Sequence, residues 1–262
     1  MTKFRDLGDD VARAVAFLSR MPMPQRHFVN HDGRLGRTVR AFPLAGLVVG
    51  APAALLAILL LALQANALFT AFVLVAVQAL VTGALHEDGL GDTADGLGGG
   101  RDRESALTIM KDSRVGTYGA VALILSFGLR VSALAAFLPL LSPVGAALAL
   151  LGTAALSRTA MVWHWSRLPP ARRDGVAASA GTPEPQAARM ALGSGSILGF
   201  LLFFAAGVPF MGVLLAFAAS GLVVPGFGRI VSRKLGGHTG DTIGATQQLA
   251  EIALFGSLAL TI

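Results

Sequence analysis

The stretch FPLAGLVVGAPAALLAILLLAL, residues 42–63, decides the fold class because it is continuously apolar and long enough to cross a membrane. It lies in a longer segment, residues 41–85, that contains no Asp, Glu, Lys or Arg. A helix needs about 20 apolar residues to cross the hydrocarbon core, and this segment has room for two crossings. Its apolar residues lack the alternation of a membrane β-strand, which excludes a membrane β-barrel.

The same deficit of charge recurs along the rest of the chain. Residues 190–228 contain no charged side chain, and Arg130 is the only one in residues 115–157. Charged residues make up 14% of the chain, against about 25% in soluble domains. We therefore predict an all-α, polytopic integral membrane bundle of six or seven transmembrane helices. The predicted spans are residues 42–63, 67–85, 118–140, 143–163, 197–208, 210–227 and 243–262.

The distribution of basic residues predicts the orientation of the chain in the membrane. They cluster within residues 3–40, 101–114, 158–189 and 229–234, and the turns between the remaining spans carry none. With seven spans all four clusters lie on one side, which the positive-inside rule makes the cytoplasm. We expect a multi-pass membrane protein whose basic clusters face the cytoplasm. The formal net charge of +6 indicates contact with anionic lipid headgroups and no nucleic acid.

A single integral membrane domain is predicted over residues 1–262. Residues 1–40 form its cytoplasmic N-terminal segment, and residues 41–262 form the transmembrane bundle with an acidic cytoplasmic segment at residues 86–117. Apolar residues in the N-terminal segment recur at helical spacing: Phe4, Leu7, Val11, Val15 and Leu18. The spacing predicts an amphipathic helix on the membrane surface or packed under the bundle, with a small soluble cap as the alternative.

The acidic segment, residues 86–117, has the clearest chemistry in the chain. If the second span continues past Leu85, then Asp88, Asp92 and Asp95 occupy positions i, i+4 and i+7 on one helix face. Three carboxylates on one face repel each other unless a cation or a proton joins them, and Mg²⁺ prefers oxygen ligands. The spacing predicts that these aspartates bind a metal; a solvated acidic face making weak surface ion pairs is the alternative.

Cationic residues follow the aspartates in the same segment. The glycines at 98–100 are expected to end the helix, and Arg101, Lys111 and Arg114 then supply groups that bind phosphate. Carboxylates for metal and cations for phosphate, at a membrane surface, indicate metal-assisted phosphoryl or nucleotidyl transfer. His86 fits a metal ligand, a phosphate contact or a hydrogen-bonding group at a helix end.

Arg130 and Arg158 lie in predicted spans, where each either pairs with an acid or a phosphate or extends its charge to the interface. Glu251 lies in the last predicted span and needs a partner, water or a proton there. Charges within spans are also compatible with the path of a transporter. A transporter keeps its polar sites near mid-span, whereas most acids here crowd one cytoplasmic segment, which favours an enzyme.

Several motifs together resemble the cobalamin synthase family, also named adenosylcobinamide-GDP ribazoletransferase. They are HEDGLGDTADG (86–96), MKDSRVGTYG (110–119), FLSRMPMP (17–24), RAFPLAG (40–46) and LGGHTGDTIGAT (235–246). The resemblance implies transfer of the adenosylcobinamide phosphate moiety from adenosylcobinamide-GDP to α-ribazole or its 5′-phosphate. GMP would be released, and the product would be adenosylcobalamin or its 5′-phosphate, at the last assembly stage of B12 synthesis.

The resemblance also implies an enzyme of the bacterial inner membrane that depends on Mg²⁺, with its active site facing the cytoplasm. It suggests roles for individual residues as well. The metal ligands would be Asp88, Asp92 and Asp95. The catalytic residues would be Asp92, His86 and Asp112, the last as a fourth ligand or the general base. The substrate-binding residues would be Arg101, Lys111, Arg114 and Asp241. The lipid bilayer is the expected surrounding, and a homo-oligomer is compatible with the sequence.

A partial resemblance to the CDP-alcohol phosphotransferases provides the alternative function. Asp92-Thr-Ala-Asp95-Gly96 matches the start of their pattern Asp-x-x-Asp-Gly-x-x-Ala-Arg, but Gly99-Gly100 stand where Ala-Arg is expected. The second half of that pattern, an Asp-x-x-x-Asp pair, is absent after Asp95. A phosphotransferase of phospholipid synthesis and a membrane transporter are therefore the alternatives.

Overall fold

The computed structural model describes residues 2–172 and 174–262, and within these residues the chain forms helices and no β-strand. The α-helices are α1 (Thr2–Leu18), α2 (Phe42–Ala62), α3 (Ala67–Thr82), α4 (Leu85–Gly99), α5 (Arg103–Ile109), α6 (Thr117–Phe137), α7 (Pro143–Arg167), α8 (Val176–Ser179), α9 (Pro185–Ala205), α10 (Phe210–Leu235) and α11 (Gly240–Thr261). Short 3₁₀ turns precede α2 and follow α6. The all-α prediction is confirmed.

Five helices of the described chain are long and apolar enough to cross a membrane: α2, α6, α7, α9 and α10. The count becomes six if α3 and α4 are taken as one broken span. α11 falls outside this count, yet it packs against α6, α7 and α10 in the middle of the bundle. The polar residues of α11 are buried against these helices and not exposed to lipid. A helix that is less apolar than the other spans can therefore be part of the bundle.

The predicted boundaries of two spans differ from the structure. The fifth span was predicted at residues 197–208, whereas α9 begins at Pro185, a residue suited to the first helical position because its missing N–H is not needed there. The sixth was predicted to end at residue 227, whereas α10 continues to Leu235 with basic residues in its last turns. The first turns of α9 and the last turns of α10 are polar, so hydropathy alone starts the fifth span too late and ends the sixth too early.

The second predicted span, residues 67–85, is broken at Gly83 and Ala84. Both residues are left-handed, with φ of +65° and +58°, and α4 leaves the corner at 89° to α3. The corner is held by the N-terminal segment, since the backbone N–H of Arg20 donates to the carbonyl of Val81 at 2.8 Å. α4 therefore runs across the bundle, where it packs on α6 and α11, and does not continue along α3.

The N-terminal helix α1 packs under the bundle, one of the two predicted placements. Its inner face, with Val15 and Leu18, is buried in the same cluster as Phe42 of α2. Phe17 stacks on Trp165 of α7 with the ring centroids 6.4 Å apart. The carboxylate of the buried Asp10 accepts a hydrogen bond from Arg40 at 2.7 Å, which joins α1 to the turn before α2.

Small residues allow the long helices to approach closely around α7. A methyl group on Gly46 of α2 would lie 2.5 Å from the carbonyl oxygen of Ala154. On the other side of α7, Gly195 and Gly199 of α9 face Thr159 and Leu156 in the same way. Such close approach is typical of helix contacts in lipid, where burying apolar side chains provides no driving force between helices.

Candidate functional site

The candidate site lies where α4 crosses the first turn of α11. Gly89 allows this crossing, because a methyl group on it would lie 2.7 Å from the backbone oxygen of Asp241. The contact places Asp241 beside Asp88 and Asp92, which lie on the exposed side of α4. The structure therefore adds Asp241 to the carboxylates that the helical spacing brought together.

Asp92 is both partly buried and surrounded by other carboxylates. Burial, followed by the negative charges of Asp88, Asp241 and Asp95, raises the pKa of Asp92 to about 7. A carboxylate with such a raised pKa among other carboxylates is stabilised by a proton or by a cation. The group of Asp88, Asp92 and Asp241, here called the carboxylate site, is thus a place where a cation relieves repulsion.

Asp95 occupies a different position from the other two aspartates of α4. It is buried, and its two carboxylate oxygens accept hydrogen bonds from the backbone N–H groups of Gly116 at 2.7 Å and Gly119 at 2.8 Å. These N–H groups belong to the start of α6, where the helix dipole favours a negative charge. Asp95 therefore joins the end of α4 to α6, and its role as a metal ligand stays a prediction.

The donor set fits Mg²⁺ in chemical type, although it does not enclose an ion by itself. Within residues 2–172 and 174–262, no group of three or more His, Asp or Glu side chains converges in a geometry that would hold a metal. Mg²⁺ keeps several waters and is commonly held by one or two carboxylates together with substrate phosphates. Asp88 and Asp92 supply such a pair, and the substrate would complete the coordination.

The loop between α10 and α11, residues 236–239, lies next to the site and contacts the segment after α7. The backbone N–H of His238 donates to the carbonyl of Pro169, and that of Ala171 donates to the carbonyl of His238, both at 2.8 Å. Gly237 is required at this crossing, because a methyl group there would collide with the backbone oxygen of Pro169. Arg103 fixes the same region by donating to the carbonyls of Leu235 and Ala171. The motif of residues 235–246 thus positions the segment that follows α7.

Arg172 is a candidate site residue that the sequence analysis missed. Its Nη2 donates to the Asp241 carboxylate at 3.3 Å, and its Nη1 is buried without a hydrogen-bond partner among the described residues. A small cavity of about 40 Å³ lies here, lined in part by Arg172, Asp174, His238 and Asp241. The only signal in the sequence was a basic residue in a loop rich in Pro, Gly and Ala. Pairing with a remote acid could not be inferred from it.

His238 borders the same cavity and was also missed as an individual residue. Burial lowers the pKa of His238 to about 4, so its imidazole is neutral at pH 7. Neither ring nitrogen has a hydrogen-bond partner in the described chain. The ring packs edge-on against Trp165, with the centroids 6.4 Å apart. His238 thus lines the cavity and carries two buried ring nitrogens without a protein partner among the described residues.

The predicted phosphate-binding residues lie on the exposed segment between α5 and α6 or just before α5. Lys111 pairs with Asp174 at 2.6 Å, and this pair joins the segment to the loop that carries Arg172. Arg114 pairs with Asp112, and their hydrogen bonds hold the pKa of Asp112 at about 2. Arg101 is exposed and makes no ion pair in the part of the chain that the structure describes. Their roles stay predictions.

His86 faces the bundle interior and is not next to the exposed aspartates. It is 1% exposed, and its Cα lies 3.5 Å from the position of a methyl group on Gly244 of α11. Its Nε2 has no hydrogen-bond partner among the described residues. His86, which was predicted to be catalytic, thus lies on the buried side of α4, away from the carboxylate site.

The charges predicted inside the spans pair with each other in a buried network. Arg130 contacts Glu87 at 3.1 Å and Glu251 at 3.7 Å, and Arg158 contacts Glu251 at 3.9 Å. Gln248 also donates to Glu87 at 3.1 Å. Two glutamates and two arginines balance their formal charges. The partners expected for Arg130 and Glu251 are therefore present, and Glu87 is the member that the sequence did not identify.

Comparison with known proteins shows the family to which the chain is similar over nearly its whole length. Residues 10–259 match the family described as cobalamin-5-phosphate synthase. The adenosylcobinamide-GDP ribazoletransferase of Rhizobium meliloti (strain 1021) is 73% identical over 262 residues, which is 100% of both chains. The enzymes of the same name from Sinorhizobium medicae and Brucella anthropi are 72% and 42% identical over 100% and 98% of both chains. No solved structure matches the chain.

Proposed function

The chain belongs to the cobalamin-5-phosphate synthase family, and on this premise we propose how it carries out its transferase reaction at the carboxylate site. The protein is a membrane-embedded adenosylcobinamide-GDP ribazoletransferase by its family and its spans. The proposal concerns the finer points, which are the metal, the leaving group, the acceptor, the residues and the side of the membrane.

The reaction is a substitution at phosphorus. A hydroxyl oxygen of α-ribazole, or of its 5′-phosphate, forms a bond to the phosphorus that carries adenosylcobinamide. The bond between this phosphorus and the bridging oxygen of the diphosphate breaks, and GMP leaves with that oxygen. The hydroxyl proton passes to a base or to water. Such transfers are governed mainly by positioning and by stabilisation of charge on the phosphate oxygens.

Mg²⁺, when bound, would supply neutralisation of the charge that develops on the leaving phosphate. Asp88 and Asp92 would hold it, with Asp241 adjacent and Asp95 contributing through lone pairs that its two hydrogen bonds leave free. Burial and then the charges of Asp88, Asp241 and Asp95 raise the pKa of Asp92, so part of this shift is repulsion that a cation would relieve. A cation shared with the diphosphate therefore binds most favourably when the substrate is present.

Cationic residues would hold the phosphates of the donor. Arg172 is closest to the carboxylates, and its buried Nη1 has no partner in the described chain. Lys111 lies on the neighbouring loop through its pair with Asp174, and Arg101 and Arg114 are exposed nearby in sequence. A planar guanidinium matches two phosphate oxygens at once, which suits Arg172 to the diphosphate.

One observation carries this proposal, namely that Asp88 and Asp92 of α4 meet Asp241 of α11 where Arg172 also reaches. Carboxylates for a metal and a cation for phosphate are thus side by side in a family whose relatives are named for transfer from a GDP-activated donor. The basic clusters around this site support a cytoplasmic orientation in the inner membrane, because such residues remain on the inner side.

The test uses purified, detergent-solubilised protein with adenosylcobinamide-GDP, Mg²⁺ and either α-ribazole or its 5′-phosphate. GMP and the corrinoid product are followed by chromatography. We expect both products from wild type, almost none from Asp92→Asn, and wild-type amounts from Glu104→Gln, an exposed acid of the same segment. A folded wild type that releases no GMP would overturn the proposed reaction. Full activity of Asp92→Asn would instead overturn the metal assignment alone.

A parallel reaction with CDP-diacylglycerol tests the alternative donor. The family membership leads us to expect no CMP release from it, whether glycerol phosphate or α-ribazole is the acceptor. CMP release at a rate comparable with that of GMP would favour phospholipid synthesis instead.

A further inference from the structure

α4 packs against α6 and α11 with many small residues on its buried side. It is glycine-rich, and it is separated from α3 by the left-handed residues Gly83 and Ala84. Because the corner bends the chain by 89°, the orientation of α3 about its axis does not fix that of α4. Other contacts must therefore determine which face of α4 points toward Asp241.

Glu87 makes two buried polar contacts of this kind at the beginning of the helix. It is 5% exposed, and its Oε1 lies 3.1 Å from Arg130 Nη1 of α6 and 3.1 Å from Gln248 Nε2 of α11. Both partners are fully or almost fully buried, and Gln248 is itself held by the hydroxyl of Ser126 at 2.9 Å. Glu87 thus joins α4 to two helices at once.

The side chain of Glu87 is buried in the bundle, whereas Asp88 and Asp92 lie on the outer side of α4. Residues 87 and 92 are five positions apart, about 140° around a helix, so an inward Glu87 leaves Asp92 on the outer side. Asp88 follows Glu87 directly and is also exposed. The hydrogen bonds of Asp95 to Gly116 and Gly119 hold the far end of the helix. With both ends held, Asp88 and Asp92 face Asp241.

We propose that Glu87 is a positioning residue for the carboxylate site, which it orients through its buried bonds to Arg130 and Gln248. This inference rests on the proposed function of that site in Mg²⁺ binding. Replacing a residue that orients metal ligands without binding the metal itself commonly lowers metal affinity by about 10- to 100-fold. The loss of Glu87 should act in the same way, because it allows α4 to rotate.

The experiment compares Glu87→Gln with Glu251→Gln, which removes the other carboxylate of the buried network but leaves the contact between Glu87 and Arg130 in place. Mg²⁺ binding is measured by calorimetry in the presence of adenosylcobinamide-GDP and without an acceptor, because the proposed site is completed by the phosphates of the donor. The Mg²⁺ dependence of GMP release is measured separately. We expect Glu87→Gln to raise the Mg²⁺ dissociation constant about tenfold or more. Turnover at saturating Mg²⁺ should change much less. Glu251→Gln should lower thermal stability and leave the dissociation constant within about twofold of wild type.

A second variant keeps the test decisive if Glu87→Gln does not fold. Gln248→Leu removes one partner of Glu87 and leaves the other, and we expect a smaller increase in the Mg²⁺ constant. An unchanged Mg²⁺ constant in every folded variant that disturbs Glu87 would overturn the positioning role. A wild type that binds no Mg²⁺ while releasing GMP would instead overturn the metal part of the proposed function.

Discussion

The Asp241 carboxylate accepts a hydrogen bond from Arg172 at 3.3 Å, and this contact joins the first turn of α11 to the loop after α7. A hydroxyl from Thr239 also donates to Asp241 at 3.1 Å. The same aspartate raises the pKa of Asp92 on α4. Asp241 therefore lies between the carboxylates proposed to hold the metal and the guanidinium proposed to hold the diphosphate.

Replacing Arg172 tests the phosphate-binding half of the site. Arg172→Gln removes a charge-assisted contact, which is worth about 1.5–3 kcal/mol. We expect kcat/KM for adenosylcobinamide-GDP to fall about 10- to 100-fold. Arg34→Gln, on an exposed loop of the N-terminal segment, serves as the matched loss of one positive charge and should leave kcat/KM unchanged. Equal effects of both replacements would mean that net charge alone is responsible.

The pH dependence of Mg²⁺ binding follows from the raised pKa of Asp92. In the metal-free protein this carboxyl is protonated below pH 7 and ionised above it. Since Mg²⁺ displaces the proton, we expect its affinity to rise as the pH increases from 6 to 8, by up to about tenfold per unit below 7. Calorimetry at three pH values measures this. Asp92→Asn should flatten the dependence, and a pH-independent affinity in wild type would contradict the prediction.

The contact between α4 and α11 depends on Gly89. Gly89→Ala would place a methyl group 2.7 Å from the Asp241 backbone oxygen and push the two helices apart. We expect most of the transferase activity to be lost while the protein remains helical. Gly91→Ala is the matched control, because its methyl group would meet only the Leu123 side chain at 3.5 Å, an ordinary contact. Circular dichroism and GMP release distinguish the two variants, and an active Gly89→Ala would show that the close approach is dispensable.

Asp95 is expected to contribute to stability independently of metal. Asn in its place retains one acceptor oxygen for two N–H donors at the start of α6 and loses the favourable charge. Asp95→Asn should therefore destabilise the protein by about 1–2 kcal/mol in the presence of EDTA. Thermal unfolding followed by tryptophan fluorescence measures the change, with Glu104→Gln as the control. An unaltered transition would mean that these hydrogen bonds are not retained in solution.

The helices themselves were determined by the sequence. Apolar runs without charge have to form helices in lipid, since every backbone polar group must be satisfied within the segment. The helical position of Asp88, Asp92 and Asp95 also follows from local spacing, and the glycines at 98–100 end α4 as predicted. Motifs distributed along the chain were enough to indicate the family, because each is a local string of residues.

The tertiary structure alone decided how these helices form a site. The left-handed corner at Gly83 and Ala84 turns α4 by 89°, so that it crosses α11 and brings Asp241 to Asp92. Contacts between residues so far apart in the sequence depend on packing and leave no periodic signal. The same packing turns Asp95 toward α6 and Glu87 toward Arg130. Local sequence thus determined which residues carry the chemistry, and the folded bundle determined which of them face one another.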